Sequence, residues 1–180
     1  FVVVKQSSDQ SDHIVESDNV NSDTTVGYLT EPRSRPMVAN FTFLAQGADE
    51  PMKLKEGVSG IYLNGIIKNK NAANIFESTN RETIEDGAVT DKVQMHSVLA
   101  DNAGHTSVFK AEDDSHTSAE LEASILERAT QLQVTNSTLV GEYFLGEAES
   151  AVPSAFSIGQ VPAICAVGTH PAGTPTELCP

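Results

Sequence analysis

Residues 56–71 read EGVSGIYLNGIIKNKN, and the path of the chain through Asn64-Gly65 decides the fold. Ile61 and Leu63 precede the pair and Ile66 and Ile67 follow it, so two apolar runs flank a dipeptide that accepts positive φ at both positions. Asn-Gly between such runs favours a type I′ turn and predicts a β-hairpin. Outward on the N-terminal side, TVGYLT (25–30) and RPMVANFTFLAQG (35–47) alternate in part, with Val38, Phe41, Phe43 and Ala45 among polar neighbours, and read as strands. On the C-terminal side, residues 69–92 read as a long asparagine-rich loop with one helical turn. In KVQMHSVLADNAGHTSVFKAED (92–113), the apolar runs 93–99 and 106–110 predict a second hairpin, with Gly104 free to take the positive φ.

One helix stands out. Thr117 to Glu120 spell a capping box, in which the Thr hydroxyl accepts from the third helical amide and the Glu reaches back to the cap amide. Leu121, Ile125, Leu126, Ala129 and Leu132 then recur at spacings of three and four, predicting a helix over about 118–133. Beyond it STLVGEYFLG (137–146) reads as a buried strand, and Pro153, Gly159 and Pro162 break the next run into short extended pieces. Short strands, much Gly, Pro and Asn, and one good helix predict a mainly β fold: an antiparallel β-sandwich or barrel-like domain with extended N- and C-terminal arms. The expected boundaries are an N-terminal strand plus acidic Ser/Asp-rich arm at 1–25, a β-rich domain at 26–160, and a Pro/Gly-rich tail at 161–180.

The arm opens with Phe1, Val2, Val3 and Val4, too few residues to span a bilayer, which needs roughly 20. They form a strand-prone stretch whose backbone groups need a partner, followed by a polar run with the composition of a tether. At the other terminus Cys165 and Cys179 bracket a loop rich in Gly and Pro, and their spacing fits a structural disulfide and no CxxC pattern. Closing that loop stabilises by about 3 kcal/mol in the chain-entropy model and places the protein in an oxidising compartment, extracellular or on a virion surface. Asn40 and Asn136 head N-x-[ST] sequons.

The 180 residues carry 25 acidic and 11 basic side chains, a formal charge of −14 that repels nucleic-acid phosphates and anionic lipid. With no Trp and only 7 Phe and 3 Tyr, the core is built mainly from aliphatic residues. The three histidines His96, His105 and His116, with Asp101, Asp113 and Asp114 nearby, are the residues that suit a transition metal, though no HxH, HExxH or CxxC accompanies them. His13 and His170 lie in the arm and the tail. A G-x-S-x-G elbow, a P-loop and a G-x-G-x-x-G are all missing from the sequence. Arg33, Arg35, Lys53, Lys55, Lys68 and Lys70 are placed to meet an acidic segment such as residues 9–23 of a neighbour.

The expectation is therefore a non-enzymatic structural subunit of an extracellular or virion assembly, without a cofactor. Its partners are copies of itself or other subunits, joined when the N-terminal strand adds to a neighbouring sheet; nucleic acid and direct membrane insertion are excluded. The second reading is a secreted β-barrel that binds a small apolar ligand, and the third a metal-dependent enzyme built on His96, His105 and His116.

Overall fold

The computed structural model describes residues 2–5, 13–20, 27–47, 49–70, 72–84, 92–102, 105 and 107–135. The elements are β1 (Val2–Lys5), β2 (Val15–Asp18), β3 (Met37–Ala45), β4 (Met52–Lys55), β5 (Gly60–Asn69), β6 (Phe76–Ser78), β7 (Val93–Asp101), β8 (Phe109–Ala111), α1 (Ser118–Arg128) and β9 (Thr130–Thr135). Odd-numbered strands form a five-stranded sheet in the order β1-β3-β5-β7-β9, and even-numbered strands a four-stranded sheet in the order β2-β4-β6-β8. Every strand pair is parallel. The chain thus crosses from one sheet to the other and back, each circuit stacked on the last, which is the path of a parallel β-solenoid.

The antiparallel sandwich or barrel is therefore wrong, and Asn64-Gly65 is where the reading failed. The pair sits inside β5, and Asn64 does take positive φ, at 50°, but alone. Asn40 on β3 (φ 54°) and Ser97 on β7 (φ 51°) occupy the same level, where the register skips from Leu63↔His96 to Gly65↔Val98. Three stacked left-handed residues bend the sheet without reversing it. The bend also shifts the alternation, so that Tyr62 and Met95 before it and Phe41, Val98, Phe43, Ile67 and Ala100 after it all enter one core. Gly65 is required for a second reason: a Cβ there would lie 2.1 Å from the Phe41 ring, which packs 4.5 Å from Phe43 and 6.1 Å from Tyr62.

The second predicted hairpin fails in the same way. Its two runs belong to β7 and β8, which lie in different sheets. The helix is real and its capping box is formed, with the Glu120 amide donating to Thr117 Oγ1 (3.2 Å) and the Thr117 amide to Glu120 Oε2 (2.8 Å). It ends at Arg128; Ala129 is extended, and Thr130–Thr135 form β9 against β7. Leu132, counted in the helical stripe, instead pairs with Val98, because TQLQVT also alternates with period two and the sheet edge offers it partners. β2 lies in the stretch read as an arm, and β6 in the stretch read as a loop.

Three of the four coils share one spacing from sheet to sheet, while the first, from Val3 to Val15, takes twelve positions. Phe43, Ile67 and Ala100 share one rung of the five-stranded sheet, and Met52, Phe76 and Phe109 share one of the four-stranded sheet. Phe43 to Met52, Ile67 to Phe76 and Ala100 to Phe109 are each nine positions. Phe76 and Phe109 stack at 5.3 Å, and among the described residues the space between the sheets is filled by Tyr62, Phe43, Phe76, Met52 and their neighbours.

Candidate functional site

The polar side chains that the fold brings together form ladders running from coil to coil. On the outer face of the four-stranded sheet Glu16, Lys53, Glu77 and Lys110 share one rung, acid and base alternating. Glu77 is all but inaccessible (side chain 3% exposed) and bonds both neighbours, Lys53 Nζ at 2.8 Å and Lys110 Nζ at 2.5 Å. Lys53 also reaches Glu112 (2.7 Å) and Lys110 reaches Glu50 (3.2 Å). Burial alone would raise the Glu77 carboxyl, but the hydrogen bonds from Lys110 and Lys53 outweigh it and hold the group at about 2. Lys55 binds Glu16 (2.6 Å) and Asp18 (3.6 Å), so acidic residues of the N-terminal run meet a lysine of their own chain.

A second ladder is made of amides at the corner that leads from the five-stranded to the four-stranded sheet. Asn69 Nδ2 donates to the carbonyls of Ala72 (2.6 Å) and Asn74 (3.2 Å) and to Asn102 Oδ1 (2.7 Å), while Asn69 Oδ1 accepts from the Ala72 amide (3.1 Å). Asn102 Nδ2 repeats the pattern one coil on, with the carbonyls of Ser107 (2.5 Å) and His105 (3.3 Å). Both side chains are fully buried. They satisfy backbone groups of a turn that no strand can satisfy. At the opposite corner Asn80 Oδ1 accepts from the Glu56 amide (3.2 Å) and Asp113 Oδ2 from the Asn80 amide (2.9 Å). There, too, Arg33 Nε donates to the Gly57 carbonyl (2.9 Å), and Arg35 pairs with Glu31 (2.9 Å).

The histidines are held apart by their elements. His96 is buried on β7, level with Leu63 and Thr130, with Nε2 3.2 Å from Gln94 Oε1, and burial pushes its imidazole down to about 4. His105 sits in the turn after β7, its amide donating to the Asn102 carbonyl. His116 precedes α1, with Nδ1 3.1 Å from Ser115 Oγ and 3.5 Å from Asp113 Oδ1. Asp101 is buried in β7 and Asp114 is exposed. Among the described residues no group of three or more His, Cys, Asp or Glu is placed to hold a metal ion. His13 Nδ1 lies 2.5 Å from the Glu50 carbonyl. Val2, Val3 and Val4 lie in β1, paired with Thr42, Phe43 and Leu44 of the same chain. Asn40 is exposed at the bend, with its Oδ1 3.4 Å from Asn64 Nδ2. Phe1, Asn136, Cys165, His170 and Cys179 lie outside the described residues.

Glu77, Asn69 and Asn102 had no place among the residues singled out from sequence. The signal was there: Ile67-Lys68-Asn69 and Ala100-Asp101-Asn102 end two apolar runs in the same way, 33 positions apart. A cleft of about 420 Å³ lies between the 3₁₀ turn Arg81–Thr83 and α1, its polar rim made by the pairs Arg81–Glu120 (3.3 Å) and Lys92–Glu127 (3.7 Å). No helix among the described residues is long and apolar enough to cross a membrane. Comparison of the chain with protein-family models, with curated proteins and with solved structures found no match.

Proposed function

We propose that this chain is a non-enzymatic structural subunit of an extracellular or virion assembly, a stiff rod segment that associates through the edge of its first coil, where β1 has a single partner among the described strands. The observation that carries the reading is the use to which polar chemistry is put. Glu77, Lys53, Lys110, Asn69 and Asn102 are spent on neighbouring coils of the same stack, which stiffens a rod along its axis. The edge strand β1 pairs on one side with β3, and its other side is the natural place for a further strand. Such an interface joins unlike faces and propagates into filaments when no rotation closes it. The oxidising setting rests on the spacing of Cys165 and Cys179, and a mass change on alkylation only after reduction would support it.

The test is sedimentation velocity over a wide concentration range, on the intact chain and on a chain lacking residues 1–5. The intact chain is expected to grow in mass with concentration, and the shortened one to stay a monomer with unchanged circular dichroism. Equal association of the two would remove the N-terminal edge from the account, and a monomer at every concentration would remove the assembly.

A further inference from the structure

Coils of a solenoid take their insertions on one face, and that face is often where such proteins bind. Here it is the corner leading back from the four-stranded to the five-stranded sheet, where two consecutive coils insert the 3₁₀ turn Arg81–Thr83 and α1. The cleft of about 420 Å³ between them has a size at which small molecules are held. Between its walls lie Ile84, which is buried, Ala123 and Ser124, and Ser124 Oγ donates to the Ile84 carbonyl (3.3 Å), tying the walls together. The walls differ in sign. Arg81 and Lys92 stand on one, and Glu120 and Glu127 of α1 on the other, so the charges form two pairs, one at each end of the cleft. Glu120 and Glu127 are two helical turns apart, which separates the ends by about 10 Å.

The two ends are not alike. At the first, Glu120 is turned back to the helix cap, its Oε2 accepting from the Thr117 amide (2.8 Å) and Oγ1 (2.9 Å) and its Oε1 from Arg81 Nη2 (3.3 Å). Arg81 Nη1 also donates to the Ser115 carbonyl (3.0 Å), which fixes a guanidinium whose planar fork suits a second carboxylate. At the other end Glu127 is 61% exposed and Lys92 only 15%, and the two stand 3.7 Å apart, farther than a hydrogen bond. The outer group there is a carboxylate. Exposed ion pairs of this kind contribute little and part readily. We propose that this cleft binds a short free peptide as a zwitterion, its terminal carboxylate on Arg81, its terminal ammonium on Glu127 and its backbone over Ile84 and Ala123. An extended chain of three residues spans about 10 Å, the separation of the two ends. A single amino acid is too short to reach both, and a peptide with blocked ends offers neither charge.

The experiment is a titration of the isotope-labelled full chain with triglycine, followed by backbone amide shifts, beside parallel titrations with glycine and with N-acetyl-triglycine amide. Saturable shifts at Ile84, Ala123 and Ser124 are expected with triglycine, and binding weaker by about tenfold or more with either control. Glu127→Gln, at an exposed place on the helix, should leave the circular dichroism unchanged and weaken triglycine by about tenfold. Arg81→Lys keeps the charge and loses the fork, and should fall between the intact chain and Arg81→Gln. Shifts that do not saturate, equal binding of glycine or of the blocked peptide, or binding unaltered by Glu127→Gln or by Arg81→Gln would each overturn the assignment.

Discussion

The two corners of the coil are built on opposite principles. The corner from the five-stranded to the four-stranded sheet spans 6–14 in the first coil and is short in the next three, at 46–51, 70–75 and 102–108, and in two coils it is closed by a buried asparagine. The return corner runs over 19–36, 56–59, 79–92 and 112–129, and in the last of these it accommodates a whole helix. A corner whose backbone groups are satisfied from inside admits little change in length, and the two closed by asparagine differ by one position. One satisfied by its own excursion admits many lengths, since loop closure costs little more as a loop lengthens. The fixed corner sets the register of the stack, and the variable one is where the molecule can change without losing it.

The largest test of that contrast is Asn102→Leu. It removes the coil-to-coil acceptor of Asn69 Nδ2 and the donor that serves the part-buried Ser107 and His105 carbonyls, at roughly 1–3 kcal/mol for an unsatisfied buried group, and a loss of about 3 kcal/mol is expected in urea unfolding. Next is acid sensitivity. Burial holds His96 at about 4, below the ordinary 6.5 or so of an unfolded histidine, so its neutral form favours folding and stability falls as pH drops from about 6.5 to 4. Glu77, held at about 2, contributes stability that is full above the unfolded carboxyl value of about 4.3 and is lost as pH falls toward 2. The His96 change is on the order of 3 kcal/mol; in unfolding measured at stepped pH, His96→Gln should flatten the upper step and Glu77→Gln the lower. Gly65→Ala drives a methyl into the Phe41 ring and should cost about 2 kcal/mol. On the variable corner, Thr117→Ala removes only a helix cap, for about 1 kcal/mol. An insertion of four Gly/Ser residues after Asp114 should cost under about 1 kcal/mol, whereas the same insertion after Ala73 should unfold the chain.

What was legible in the sequence divides along the same line. The helix start was readable because a capping box is a local contract between Thr117 and Glu120. The apolar strand segments were readable too, since β3, β5 and β7 each carry inward residues at short range. Their direction was not. Asn64 was correctly assigned a positive φ, but that preference serves a bend as well as a turn, and the choice is made by Asn40 and Ser97, 24 and 33 positions away on neighbouring coils. The ladders were hidden for a related reason. Glu77 is one of 25 acidic residues, and it becomes distinct only when Lys53 and Lys110 fall on its rung. Three histidines close in sequence looked like a cluster, and the strand, the turn and the helix cap that carry them keep them in separate environments.

The central claim, a parallel stack in which Asn64-Gly65 is a bend, is tested most directly by interstrand nuclear Overhauser contacts in the isotope-labelled chain. The stack predicts backbone contacts that link Leu63 with His96 and Ile67 with Ala100, and on the other side Phe43 with Ile67. Contacts between Ile61 and Lys68, and between Leu63 and Ile66, would instead mean that the chain turns back on itself at Asn64-Gly65, and would contradict the fold and everything built on it.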